Sequence, residues 1–254
     1  EIALDGLSAR EEEKNTSAAL VRGVAAKVKE LGYPLSGFDA CVVSTVLSGS
    51  GLSSSAAYET LVGNIFNHFC CADKLDPITI AKIGQYAENT YFGKPCGLMD
   101  QMGSSVGGAV FIDFNDPANP IVERVGYDFS QSGFALCIVD TASSHGDLTD
   151  DYADITREMG AVAAHFGKAV LRDVPLADFQ ASLPALRMEC GDRAVLRAMH
   201  FYDDDRLAAQ ETDALKKGSF ETFLNMVNFS GLSSSLRLQN TWSIHDPRQQ
   251  AIPL

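Results

Sequence analysis

The chain is 254 residues long, with 46% hydrophobic residues, 21% charged residues and a formal net charge of −13 at pH 7. That length carries a full hydrophobic core and lies where chains begin to divide into two domains. The acidic balance argues against nucleic acid or an anionic membrane as partner, and no apolar run reaches the ~18 residues of a transmembrane helix. No secretory signal stands at the start as given, although the first residue is Glu1 and not Met. Six cysteines, Cys41, Cys70, Cys71, Cys96, Cys137 and Cys190, form no CxxC pair and lie in apolar contexts. They read as reduced, mostly buried thiols of a cytoplasmic protein.

In chain order, the pattern predicts a helical region over 7–31 ended by Gly32, then an apolar, β-branched strand over 38–47. A Gly/Ser loop follows, Ser48-Gly49-Ser50-Gly51-Leu52-Ser53-Ser54-Ser55-Ala56-Ala57, and then a helix over 56–69 with Leu61, Ile65 and Phe69 spaced for one buried face. The glycines permit a tight turn and a close backbone approach. The first helical N–H groups lack intrahelical partners and favour an anion, and the serines add hydroxyl donors and metal-ligand oxygens. This is the chemistry of a phosphate cradle, although any Ser/Gly run before a helix is also a good cap and turn. It is not a Walker A loop, which requires a Lys that is absent here.

Asp76 as N-cap and Pro77 at the first position start a helix running through Phe92, with Ile80, Ile83, Gly84, Ala87 and Tyr91 along one side. Gln85, Glu88 and Asn89 form a small polar cluster on it, and Gly93-Lys94-Pro95-Cys96-Gly97 breaks it. A short helix at 98–102 carries Asp100. Strands are expected at 109–114 and 121–125 around a turn at 116–120, and another at 134–141. The remainder reads as helices over 150–166, 176–186, 192–215, 219–229 and 234–239, with a domain boundary near Ser130. The acidic runs at 147–151 and 203–205 read as solvated helix starts rather than metal clusters. A second Gly-Leu-Ser-Ser-Ser at 231–235 follows a helix and lacks the preceding Gly-x-Gly, so it reads as an interhelical turn with a Ser cap.

The wording GSGLSSSAAYE closely resembles the phosphate-binding motif of the GHMP kinases, and AENTYFGKPCGLMDQMGSSVGGAVFIDF resembles the segment that galactokinases carry after it. A weaker similarity runs over nearly the whole chain, through Asp140 to His145, Asp151-Tyr152 and 200–206. The resemblance implies an α+β fold of two GHMP-kinase-like domains, 1–130 and 131–254, with the active site in the cleft between them. It implies ATP on Gly49, Ser50, Gly51, Leu52, Ser53, Ser54, Ser55 and Ala56. Mg²⁺ would lie at Ser55 and Glu88, with Asp100 as the base toward the sugar hydroxyl and Gly97, Asp100 and Tyr152 against the sugar. Mg²⁺ takes one or two carboxylates with phosphates and waters, so Glu88 with a loop serine is a reasonable set.

The implied activity is phosphorylation of the anomeric hydroxyl of galactose to galactose 1-phosphate, in a cytoplasmic monomer with no nucleic-acid or membrane partner. Two departures stand beside the resemblance. The opening galactokinase motif of the type GRxxxxGEHTDY and the closing GGGFGG stretch have no match here, so the expectation is a chain missing the first and last parts of the pattern. A sugar- and ATP-binding regulatory protein of the same fold, or a GHMP kinase for another substrate such as N-acetylgalactosamine, stays open.

Overall fold

In the computed structural model the described residues are 1–46, 51–139 and 149–246, with Thr149 described in its backbone only. The chain divides into two compact units, residues 1–112 and 113–254. Helices dominate both, and the class is α+β.

The first unit is built on α1 (Ser17–Glu30), α2 (Ser54–Cys71), α3 (Pro77–Ala87) and α4 (Met99–Val106), with strand β1 (Ala109–Asp113) at its end. Capping chemistry marks the starts of α1 and α3. Thr16 caps α1 by accepting from the Ala19 N–H, and Gly32 follows it at φ +91°. Asp76 caps α3 by accepting from the Thr79 N–H at 2.7 Å, with Pro77 next to it as expected. The expected helix over 7–31 therefore starts ten residues late, because the preceding segment has another task. The buried Arg22 guanidinium reaches back from α1 to the carbonyls of Ala3 and Gly6 and to the Glu13 carboxylate, holding residues 3–13 against the helix.

α3 is the central element, packed against α1, α2 and α4. Two glycines let it come close. A Cβ on Gly23 of α1 would lie 2.7 Å from Ala87 Cβ, and one on Gly63 of α2 would lie 2.9 Å from Ile80 Cγ2. Ile80, Ile83, Gly84, Ala87 and Tyr91 are all buried, as their spacing predicts. The expected face of α2 is not the buried one: Leu61 is 41% and Phe69 59% exposed. The inward face is instead Ala56, Glu59, Thr60, Val62, Gly63, Phe66 and Asn67. Small residues at the crossing point outweigh large ones one turn away, because close helix approach buries more contact than side-chain bulk alone.

The described residues also form strand β2 (Ile121–Val125), paired with β1 in a two-stranded sheet. Then come α5 (Thr149–His165), α6 (Leu176–Ala181), α7 (Leu183–Cys190), α8 (Asp192–Lys216) and α9 (Phe220–Ser233). The core of the second unit joins Val162 and Ala163 of α5, Phe179 of α6, Leu186 of α7 and Ala194, Val195 and Ala198 of α8.

Two expected strands do not form. Residues 38–46 and 134–139 carry no ladder, and apolar side chains such as Val43 at 89% and Leu136 at 96% exposure stand open, while Phe38 packs on Phe66 and Phe69. Among the described residues only β1 and β2 pair. High β propensity without a neighbouring backbone to bond forms no sheet. Leu47, Asp140 and Thr141 lie outside the described residues.

Other expectations are corrected too. Cys71 alone of the six free cysteines is buried, and Cys41 and Cys137 sit exposed on those two segments. The 231–235 stretch is no turn: α9 runs through Ser233 and passes into a π-helical turn, Ser234–Leu238. Asp203, Asp204 and Asp205 lie mid-helix on α8 and are engaged by Arg237, Ser230 and Arg172 respectively, which is why an acidic run is tolerated there. No described helix is long and apolar enough to cross a membrane.

Candidate functional site

The site lies within the first unit, where the start of α2 meets the end of α3 and the start of α4. Gly51 takes φ +74° and Ser53 the left-handed conformation at φ +54°. That twist aims the Ser53 side chain away from the helix it precedes, and Ser53 makes no side-chain cap bond. Its hydroxyl instead donates to Asp100 Oδ2 at 2.7 Å. Two residues on, the Ser55 hydroxyl donates to Glu88 Oε1 at 2.9 Å. The N–H groups opening α2 have no intrahelical acceptor, so they face the same end of the helix with partial positive charge.

Glu88 stands where α3 gives way to a π-helical turn, Glu88–Phe92, closed by Gly93 at φ +88°. The wider turn carries the Glu88 side chain inward, and it is buried. Such π turns inside helices recur at functional sites. Lys94 Nζ lies 3.9 Å from Glu88 Oε1. The polar neighbours of Glu88 hold the chain that follows. Asn89 Oδ1 accepts from the Cys96 N–H at 2.7 Å, and Gln85 Nε2 donates to the Cys96 carbonyl at 3.3 Å. This clamp fixes the 93–98 segment, and with it Gly97 and the exposed Asp100 in the first turn of α4.

Behind this surface is a layer that pattern reasoning missed. Gln101 Nε2 donates to Glu88 Oε2 at 2.9 Å and to Glu59 Oε2 at 3.1 Å. Glu59 is fully buried, and burial pushes its carboxyl up to about 8, against the opposing pull of the Gln101 hydrogen bond. Burial also drives the Cys96 thiol up to about 12, helped by its hydrogen bond to Glu88. The available signal was position: Glu59 follows Ala56 by three and precedes Gly63 by four, which sets a carboxylate on the inward face of α2.

The structure thus brings Ser53, Ser55, Glu88 and Asp100 together, with Gly51, Leu52, Ser54 and Ala56 in the same turn. Gly49 and Ser50 lie outside the described residues. Gly97 has no atom within 4 Å of a Cβ built on it, so open space lies beside its backbone. Tyr152 is on α5 of the second unit, 60% exposed. Among the described residues no group of three or more His, Cys, Asp or Glu could hold a metal ion. A hydroxyl and a carboxylate 2.9 Å apart nevertheless fit a hard divalent cation that draws its other ligands from phosphates and water.

A Gly/Ser loop thus opens a helix, with two of its serines bonded to two carboxylates. Residues 19–108 match the family model described as GHMP kinases N terminal domain. The chain matches the galactokinase of Streptomyces coelicolor at 34% identity over 199 residues, which is 77% of this chain and 50% of that protein. The Homo sapiens galactokinase matches at 33% identity over 193 residues, 75% of this chain and 47% of the relative. In fold, a Lactococcus lactis galactokinase crystallised with galactose superposes with a TM-score of 0.68 at 21% identity, covering 93% of this chain and 60% of that one. The chain spans about half the length of the curated relatives it matches. In sequence the chain is similar to GHMP kinases, over residues 19–108 to their N-terminal domain and more widely to galactokinases, and its fold is like that of a galactokinase.

Proposed function

We propose that the chain carries the phosphoryl-transfer site of an ATP-dependent sugar kinase that converts galactose to galactose 1-phosphate. The observation that carries this reading is the double link from one loop to two carboxylates, Ser53 to Asp100 and Ser55 to Glu88. The names of the relatives supply the sugar. In this reading the residues from Gly51 to Ala56 and the N–H groups opening α2 receive the ATP phosphates. Ser55 and Glu88 hold the nucleotide's Mg²⁺, which when bound offsets negative charge on the phosphates. The open backbone at Gly97 leaves room for the sugar, and the exposed ring of Tyr152 is a further proposed sugar contact.

The anomeric oxygen bonds to the γ-phosphorus as the bond from that phosphorus to the β,γ-bridging oxygen breaks, and ADP leaves with the electron pair. The proton of the attacking hydroxyl goes to the Asp100 carboxylate, held in place by Ser53 and by the clamped segment before it. We read the working state as a cytoplasmic monomer.

The test is ADP release with Mg-ATP and a panel of hexoses, with Asp100→Asn run alongside. Turnover confined to galactose and lost in the variant supports the reading. Turnover only with N-acetylgalactosamine replaces the substrate. ATP binding without turnover on any hexose replaces the kinase with a binding protein of the same fold.

A further inference from the structure

Helix α2 spends a position on its inward face on an acid. Glu59 is fully buried beside α3, where burying a carboxyl costs free energy that an apolar residue would not. Its only hydrogen-bond donor among the described residues is Gln101, and the same amide nitrogen serves Glu88. An amide nitrogen has two hydrogens, so it can satisfy one oxygen of each carboxylate at once. Glu88 is then fixed from both sides: Oε2 by Gln101 at 2.9 Å and Oε1 by Ser55 at 2.9 Å.

Two features show that this arrangement is not chosen for local satisfaction. Glu59 Oε1 and Gln101 Oε1 are both buried without a hydrogen-bond partner. Room for the pair also depends on a glycine in the middle of α3. A Cβ on Gly84 would lie 3.1 Å from Glu59 Cβ, 3.2 Å from Glu59 Oε2 and 3.3 Å from Gln101 Cγ. A glycine inside a helix costs roughly 0.5–1 kcal/mol relative to alanine. The fold accepts unsatisfied oxygens and a helix glycine, and gains a Glu88 carboxylate of fixed direction.

We propose that Glu59 and Gln101 are positioning residues, a relay that sets the direction of the Glu88 carboxylate so that it and the Ser55 hydroxyl present their oxygens together to the metal of the bound nucleotide. The inference rests on the reading of Glu88 as a metal-binding residue. Glutamine keeps the side-chain oxygen that accepts from Gln101 at the same length, so it is the isosteric stand-in for Glu59.

The experiment uses Mn²⁺ as the probe, its binding to the full chain in the presence of ATP followed by electron paramagnetic resonance, with metal-free ATP binding and thermal unfolding measured beside it. Gln101→Met and Glu59→Leu are each expected to weaken Mn²⁺ binding about tenfold, with metal-free ATP affinity changed less than about twofold. The double variant loses no more than either single one, since both cut the same relay. Glu59→Gln recovers most of what Glu59→Leu loses. Should Gln101→Met not fold, Gln101→Asn keeps the amide and withdraws it by one methylene, and the same loss is expected.

Wild-type Mn²⁺ affinity in Gln101→Met, beside its loss in Glu88→Gln, overturns the relay and leaves the metal reading intact. Wild-type affinity in Glu88→Gln overturns the metal reading, and the relay falls with it.

Discussion

The hydroxyl of Ser53 donates to Oδ2 of Asp100 at 2.7 Å across 47 residues of sequence. Ser53 reaches that carboxylate because its backbone is left-handed, a conformation that costs a residue with a Cβ about 1–2 kcal/mol. A serine ahead of a helix would ordinarily cap it, and this one does not. The loop therefore accepts strain and forgoes a cap, and in return the residue read as base is tied to the turn read as phosphate cradle.

That trade separates stability from chemistry in one substitution. Ser53→Gly relieves the positive φ and removes the hydroxyl. Unfolding stability is expected to stay level or rise slightly, while kcat for ADP release falls about tenfold, equivalent to about 1.4 kcal/mol of barrier. A variant that loses stability and activity together would show that Ser53 serves the helix and not Asp100.

Glu59 gives the first unit a pH dependence whose sign follows from its raised pKa. The folded state holds the proton up to about pH 8, whereas the unfolded chain releases it near 4.5. Between those values the native state binds more protons, so this contribution is complete below pH 4.5, declines as pH rises and is gone above about 8. Glu59→Gln removes the titration. Thermal melts from pH 5 to 8.5 should show wild type losing stability with a slope of at most about 1.4 kcal/mol per pH unit beyond that of the variant. Parallel curves would place the Glu59 proton elsewhere.

Much of this architecture was legible in the sequence where local chemistry decides it. Asp76-Pro77 starts α3, the glycines at 32 and 93 close their helices, and β2 falls at its expected residues. Glu88 and Asp100 stood out in the sequence too, through wording and through the polar cluster around Glu88. What stayed hidden depends on partners distant in sequence. The strands expected near Val43 and Leu136 lack a paired backbone, and no window of sequence shows that. The inward face of α2 is set by where α3 crosses it, which is how Leu61 came out and Glu59 went in. Gln101 carries no signal in the sequence because its contacts to Glu59 and Glu88 exist only once three elements meet.

In the second unit, Glu158 of α5 accepts from Arg193 and from Arg197, and Arg197 is buried with its Nε on the Leu238 carbonyl. Burial lowers the Arg197 pKa, which marks how little solvent stabilises its charge. Glu158→Ala strands that charge and should cost about 3 kcal/mol in denaturant unfolding, the range for breaking a buried pair. Arg157→Ala, at an exposed side chain, should change denaturant unfolding little at neutral pH. Its effect should appear in acid. The hydrogen bond from Arg157 is the main cause holding the Asp154 carboxyl at about 2, from 3.8, with His245 and Arg193 adding to it. That depressed pKa contributes stability above about pH 4 which is lost as pH falls toward 2. Arg157→Ala should therefore move the acid unfolding midpoint of this unit upward.

Two glycines on helix crossings of the first unit should answer differently to the same added methyl. At Gly23 the Cβ would lie 2.7 Å from Ala87 Cβ and 2.8 Å from Ala87 Cα, a helix backbone that cannot step aside. Gly23→Ala should destabilise the first unit by about 1–3 kcal/mol through overpacking. At Gly84 the nearest atoms belong to the side chains of Glu59 and Gln101, all beyond 3.0 Å, and alanine also favours the helix. Gly84→Ala should cost less stability than Gly23→Ala, because the helix gain of alanine offsets part of the crowding and the outer atoms of Glu59 and Gln101 can shift by a few tenths of an ångström. That shift displaces the amide that orients Glu88, so turnover should fall several-fold, further than the stability loss explains. Equal losses of stability at both sites would make Gly84 a packing residue like Gly23. A loss of activity confined to Gly84→Ala would show that the crossing of α2, α3 and α4 is built around the direction of one carboxylate.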